Sequence, residues 1–126
     1  MTNSQVISFV NFFRDTPIAY DYLDKMKFAK EAKKYLRSLA KAMNLPKGSY
    51  NVRYNEGGIA VSGEATLHGE DIYVQFSKFG NFHPVMFRKC VGQKDCCGKR
   101  NHFAEFADLF NIAFMAEKIR KETIGD

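Results

Sequence analysis

Tryptophan is absent from this 126-residue chain. No apolar run is long enough to cross a bilayer, and the opening Met1-Thr2-Asn3-Ser4-Gln5 carries no basic segment. Neither a signal peptide nor a membrane span is therefore expected, and the expected location is the cytoplasm. Cysteine is scarce. Three residues are an odd count that makes no disulfide framework, and without an export signal they are expected to be reduced thiols. The C-x-x-C knuckle of structural zinc sites is missing too. Cys90, Cys96, Cys97 and His102 run C-x5-C-C-x4-H, and adjacent cysteines ligate one ion poorly, so neither zinc nor another cofactor is expected. There is no Walker or Rossmann fingerprint, internal repeat, low-complexity tract or linker. The length fits one domain over residues 1–126.

What remains is aromatic and basic. Hydrophobic residues make up 45%, which excludes a disordered chain. Twelve Phe and six Tyr exceed what a small core hides, so some rings are expected at the surface or in an oligomer interface. A net charge of +5 favours an anionic partner: a nucleotide, a nucleic acid or an acidic protein face.

The pattern predicts an α+β fold with helices over 4–44. Ser4 is the expected cap of a short helix bearing Val6, Phe9, Val10 and Phe13 at i, i+3, i+4, i+7. Thr16-Pro17 reads as the start of a second helix, ending before Leu45-Pro46-Lys47-Gly48. Its apolar stripe is Ile18, Tyr22, Met26, Ala29, Ala32, Leu36, Leu39 and Met43. Lys25, Lys27, Lys30, Lys33, Lys34, Arg37 and Lys41 form the opposite face. Such a helix is roughly 40 Å long, which suggests that it breaks or packs on a second subunit.

Period-two alternation then predicts a four-stranded antiparallel sheet over 49–91. One face is apolar, and the other presents Arg53, Ser62, Glu64, Tyr73, Gln75 and Arg88. A basic loop over 92–102 leads to a C-terminal helix over 103–122 with the stripe Phe103, Phe106, Phe110, Phe114 and Ile119.

The segment from Arg88 to His102 is the richest in chemistry. It holds Arg88, Lys89, Lys94, Lys99 and Arg100, and its glycines let backbone N–H groups turn toward a ligand. A helix starting at Asn101 adds its positive end. Together these suit a phosphate. Tyr73, Phe79 or Phe82 is the expected base-stacking ring, and Glu64 or Gln75 the reader of ribose or base edges. Asp95 and His102 lie in the same loop. Cys96 or Cys97 beside His83 or His102 imitates a thiol nucleophile and its base, with Glu64, Glu70 and Asp95 as acids, but no spacing forces these groups together. The expected protein is not an enzyme.

The central segment resembles small proteins of tailed phages. The residues that carry the likeness are Gly57-Gly58-Ile59-Ala60-Val61-Ser62-Gly63-Glu64-Ala65-Thr66-Leu67-His68, Ile72-Tyr73-Val74-Gln75-Phe76, Val85-Met86-Phe87-Arg88-Lys89-Cys90, Gly92-Gln93-Lys94-Asp95 and Arg100-Asn101-His102. Among such proteins the chain looks most like the anti-Thoeris sponges. The resemblance implies an oligomer that sequesters a cyclic ADP-ribose signal without cleaving it, in a pocket built from strands and the basic loop. The expected ligand residues are Arg88, Lys94, Asp95, Arg100, Asn101, His102, Tyr73, Gln75, Glu64, Phe79 and Phe82. Two other readings stay open: a DNA- or RNA-binding accessory protein using the same loop and the Lys-rich helix, and an inhibitor docking on a host protein.

Overall fold

A computed structural model describes residues 1–57, 62–78, 83–93 and 99–126. The chain is α+β, with three α-helices and one antiparallel sheet among the described residues. Helix α1 spans Asn3–Asp15 and buries Val6, Phe9, Val10 and Phe13, the four positions that its periodicity marks. Its cap is Thr2 rather than Ser4. The Thr2 hydroxyl accepts from the Gln5 amide at 3.2 Å, and the Gln5 side chain accepts from the Thr2 amide at 2.8 Å. This reciprocal pair satisfies two orphan donors at the helix start.

Thr16-Pro17 ends α1 instead of starting the next helix. The Thr16 amide donates to the Phe12 carbonyl, and Pro17 leads into a 3-10 turn over Ile18–Tyr20. Helix α2 then spans Tyr22–Ala42, capped by Asp21, whose carboxylate accepts from the Leu23 and Asp24 amides at 2.8 and 3.3 Å. An ionised acceptor at the positive helix end outcompetes the Thr16 hydroxyl. The helix is therefore 21 residues and about 32 Å long, short enough for a domain of this size. At its far end Asn44 takes φ +58°. Leu45 and Asn44 donate to the carbonyls of Ala40 and Lys41, an αL-terminated stop.

The buried face of α2 also differs from the expected stripe. Phe28 and Tyr35 are fully buried and Lys25 is enclosed, while Tyr22 and Met26 stay exposed. No described helix is long and apolar enough to cross a membrane.

Among the described residues five strands follow, one more than the periodicity suggests: β1 (Asn51–Asn55), β2 (Glu64–His68), β3 (Ile72–Phe76), β4 (Val85–Lys89) and β5 (His102–Ala104). They pair antiparallel in sequence order, a simple meander. Strand β5 and a 3-10 turn over Phe106–Phe110 replace the first half of the expected C-terminal helix. Helix α3 itself covers only Ile112–Thr123, capped by Asn111, whose side chain accepts from the Phe114 amide at 3.0 Å. Phe103, Phe106 and Phe110 imitate a helical stripe, yet Phe103 sits on a strand and Phe114 is exposed.

One sheet face is the core face. Ala65, Leu67, Ile72, Val74, Phe76, Val85, Phe87 and Ala104 point there and are buried. They meet Phe9, Phe13, Phe28 and Tyr35, whose rings stack around Phe76 and one another at centroid distances of 4.9 to 6.3 Å. Each such pair adds about 0.5–1.5 kcal/mol beyond its area burial. The Tyr35 hydroxyl donates to the Leu109 carbonyl at 2.8 Å, tying the helix layer to the segment before α3.

Candidate functional site

Strand alternation sends the remaining side chains to the second sheet face. None of its strand positions is buried. The register arranges them in rows that cross the sheet. Asn51, His68, Tyr73 and Arg88 form one row. Arg53, Thr66, Gln75, Met86 and Phe103 form the next. Strands lie about 4.8 Å apart, so the second row is roughly 19 Å long.

The first row is packed side to side. His68 meets the Tyr73 ring edge-to-face at 5.1 Å. From the neighbouring strand the Arg88 guanidinium carbon lies 4.8 Å from the Tyr73 ring centroid. Flanked in this way, Tyr73 orients Arg88 rather than offering an open stacking surface. The Tyr73 hydroxyl donates to Gln75 Oε1 at 3.0 Å, which links the two rows. In the second row Phe103 is 42% exposed, and the His83 ring stacks on it at 4.7 Å while contacting Glu105.

The segment after β4 returns to this face. The Gly92 amide donates to the Glu70 carbonyl at 2.6 Å, and Gly92 takes φ +80°, a left-handed turn that suits glycine. Gln93 then spans to the first strand. Its Oε1 accepts from Asn51 Nδ2 at 2.6 Å, and its Nε2 donates to Glu70 Oε1 at 2.8 Å. On the far side the Lys99 amide donates to the Lys89 carbonyl at 2.9 Å. The basic segment is thus anchored at Gln93 beside Asn51 and at Lys99 beside β4, at opposite ends of the first row.

Of the expected site residues, Arg88, Tyr73, Gln75 and Glu64 share this face, with Glu64 at its exposed end opposite Asn55. Arg100 and Asn101 are exposed just before β5. Asn101 starts no helix, so the helix-dipole contribution expected there is absent. His102 does not join the site. It pairs with Phe87 on the core side, stacks on that ring at 5.5 Å and meets Asp126 Oδ2 at 2.6 Å. Ser62, expected on the polar face, is buried outside β2, where its hydroxyl accepts from the Lys78 amide at 3.0 Å. Lys94, Asp95, Phe79 and Phe82 lie outside the described residues, as do Cys96 and Cys97.

Sequence reasoning missed His68, Asn51, Gln93 and Phe103. His68 reads as part of a Gly-containing turn, and only the observed register extends β2 to include it. The Gln93–Asn51 bond joins positions 42 residues apart and leaves no local signal.

Among the described residues no three His, Cys, Asp or Glu side chains gather as a metal site. Cys90 is buried, its sulfur 3.5 Å from the Gly69 carbonyl oxygen. The face as built combines a packed guanidinium, side-chain amides and an exposed ring. These suit a planar, anionic ligand: nitrogen donors for phosphate or hydroxyl oxygens, and the Phe103 ring for a base.

Comparison with protein-family models, curated proteins and solved structures finds no match to this chain.

Proposed function

We propose that this protein acts by binding rather than by catalysis: it captures a nucleotide of the cyclic ADP-ribose type on the second face of its sheet. The observation that carries the reading is Arg88, held against Tyr73 in a row that the basic segment brackets at both ends. A guanidinium oriented before the ligand arrives loses less freedom on binding, and it presents a two-pronged donor that lysine lacks. Gln75 and Asn51 add neutral donors, and the exposed edge of Phe103 offers a ring for the base. The likeness of the central segment to phage sponges supplies the class of ligand. In that setting the protein withholds a defence signal in the cytoplasm of an infected cell.

A nucleic-acid reading competes through the Lys-rich face of α2. Exposed Lys27, Lys30, Lys34, Arg37 and Lys41 belong to the helix layer, which packs on the core face of the sheet. A strand touching both surfaces has to wrap around the molecule, and this favours the compact ligand. The test is mass spectrometry of the fraction released by heating the purified protein. An intact cyclic nucleotide is expected. A cleaved product argues for an enzyme, and an absorbance excess near 260 nm that salt removes argues for nucleic acid.

A further inference from the structure

The surfaces of α2 and α3 handle charge differently. On α3 opposite charges neutralise one another one turn apart, Lys118 with Glu122 at 2.6 Å and Lys121 with Glu117 at 3.0 Å. On α2 every exposed position from Lys27 to Lys41 is a cation: Lys27, Lys30, Lys34, Arg37 and Lys41. Among the described residues one of these has an ion pair, Lys34 with Glu31 at 3.9 Å. Lys30 with Lys34, and Arg37 with Lys41, are like charges four residues apart, an arrangement that destabilises a helix. At about 100° per residue the five cations and Leu23 fall within a sector of roughly 80°. That sector lies opposite the buried Phe28, Ala32, Leu36 and Leu39, and both acids of the helix, Asp24 and Glu31, fall outside it. The row from Leu23 to Lys41 is about 27 Å long. Its first end is apolar, with Leu23 75% and Met26 47% exposed beside the open rings of Tyr20 and Tyr22.

We infer that this row docks the protein on an anionic membrane surface, with α2 lying flat, its cations at the headgroup phosphates and Leu23 and Met26 at the edge of the acyl chains. Two features select a bilayer as the occupant. The first is unneutralised charge. A helix face that meets only water gains by alternating signs, as α3 does. The repulsion kept on α2 is relieved by an anionic surface, near which each Lys or Arg strengthens attachment about fivefold.

The second feature is the apolar end in line with the charge. Leu23 stands in the same sector as the cations, so a surface that meets them meets Leu23 as well. A nucleic acid presses that side chain against phosphate or leaves it in water. A leaflet offers headgroups to the cations and acyl chains to Leu23 and Met26 at once, and tyrosine rings such as Tyr20 and Tyr22 suit the boundary between the two. Lasting attachment takes two signals of this kind, a basic patch and an apolar anchor. The helix layer packs on the core face of the sheet, so a docked molecule keeps the second sheet face open to solution. The inference does not depend on what that face binds.

The test is co-sedimentation with vesicles made of equal parts phosphatidylglycerol and phosphatidylcholine. The wild-type chain is expected to pellet with them, to stay in solution with phosphatidylcholine alone and to be released by high salt. Leu23→Gln is expected to weaken binding about tenfold, the effect of withholding part of a buried leucine. Lys30→Gln and Lys34→Gln are expected to weaken it about fivefold each. All three positions are exposed, so their circular dichroism spectra should match the wild type. Lys121→Gln, which removes a cation from α3, is expected to bind like the wild type. A wild type that ignores the anionic vesicles overturns the inference, including the case in which it binds a single-stranded oligonucleotide through the same lysines. Vesicle binding that Leu23→Gln leaves intact, or that Lys121→Gln weakens as much as Lys34→Gln, overturns it too. Nucleotide capture is expected to survive in Leu23→Gln, so this result stands apart from the test of the sheet face.

Discussion

Arg88 and Tyr73 are directly paired across β3 and β4, and the guanidinium carbon lies 4.8 Å from the centre of the ring. This pairing gives the arginine a structural contact beside the binding role proposed for it. A cation over an aromatic ring is worth about 0.5–2 kcal/mol, depending on how far it is desolvated. The neighbouring position, Phe87, is fully buried on the core face, as strand alternation requires.

Arg88→Ala is therefore expected to act on two readouts. Ligand affinity should fall about ten- to a hundredfold, the cost of a charged hydrogen bond of roughly 1.5–3 kcal/mol. The melting temperature should fall by only a few degrees, the cost of the ring contact. From sequence alone no stability change is expected; the packing against Tyr73 adds this smaller term. Arg88→Lys should keep the charge and fail to restore affinity, because it lacks the planar fork. Titration calorimetry and a thermal melt read both effects, and normal binding by Arg88→Ala would remove the arginine from the site.

Gln93 should matter to the ligand more than to the fold. It joins Asn51 and Glu70 through two side-chain hydrogen bonds. The neutral bond to Asn51 contributes about 0.5–1.5 kcal/mol, and the exposed bond to the Glu70 carboxylate is screened by solvent. Gln93→Ala should weaken binding by up to about tenfold, and Asn51→Ala should match it, with the double variant no worse than the stronger single one. Additive losses in calorimetry would mean that the two residues act separately.

Stability should drop in alkali before the lysines titrate fully. Burial holds the Tyr35 hydroxyl proton well above its ordinary pKa of 10.0, and Asp108 adds to the effect. Tyr54 is raised likewise by burial and then by Glu56. Because the folded pKa is the higher one, this stability is complete below the ordinary tyrosine pKa and is lost progressively as pH climbs from there toward the raised folded value. For Tyr35 the slope approaches about 1.4 kcal/mol per pH unit. Tyr35→Phe should flatten the alkaline fall seen in melting curves, at a cost near neutrality of about 1 kcal/mol for the bond to Leu109. An unchanged alkaline profile would contradict this assignment.

Gly63→Ala should destabilise the sheet edge. Gly63 takes φ +80°, and an added Cβ meets the Tyr54 hydroxyl and comes within 2.8 Å of the Asn55 carbonyl oxygen. Strain and collision together should cost more than about 1 kcal/mol. Denaturant unfolding measures it, and a wild-type midpoint would refute the close approach.

Much of the architecture was legible because burial enforces period. Val6, Phe9, Val10 and Phe13 marked α1, and Ile72, Val74 and Phe76 marked the central strand. Local competition was not legible. Thr16-Pro17 reads as a helix start, and the Asp21 side chain takes that role only once the chain turns at Ile18–Tyr20. Strand β5 is three residues long and begins a run of phenylalanines with helical spacing, so it left no strand signal. For the site, alternation correctly grouped Glu64, Tyr73, Gln75 and Arg88. It could not reveal that His102 turns to the core side beside Asp126, because that depends on pairing with Phe87.

The central claim is that the second sheet face holds the ligand. Amide and side-chain NMR, recorded while cyclic ADP-ribose is added, tests it most directly. The account predicts saturable shifts centred on His68, Tyr73, Gln75, Arg88 and Phe103, with Lys30, Arg37 and Lys41 on α2 unmoved. Shifts confined to α2, or no shifts at millimolar nucleotide, would contradict it.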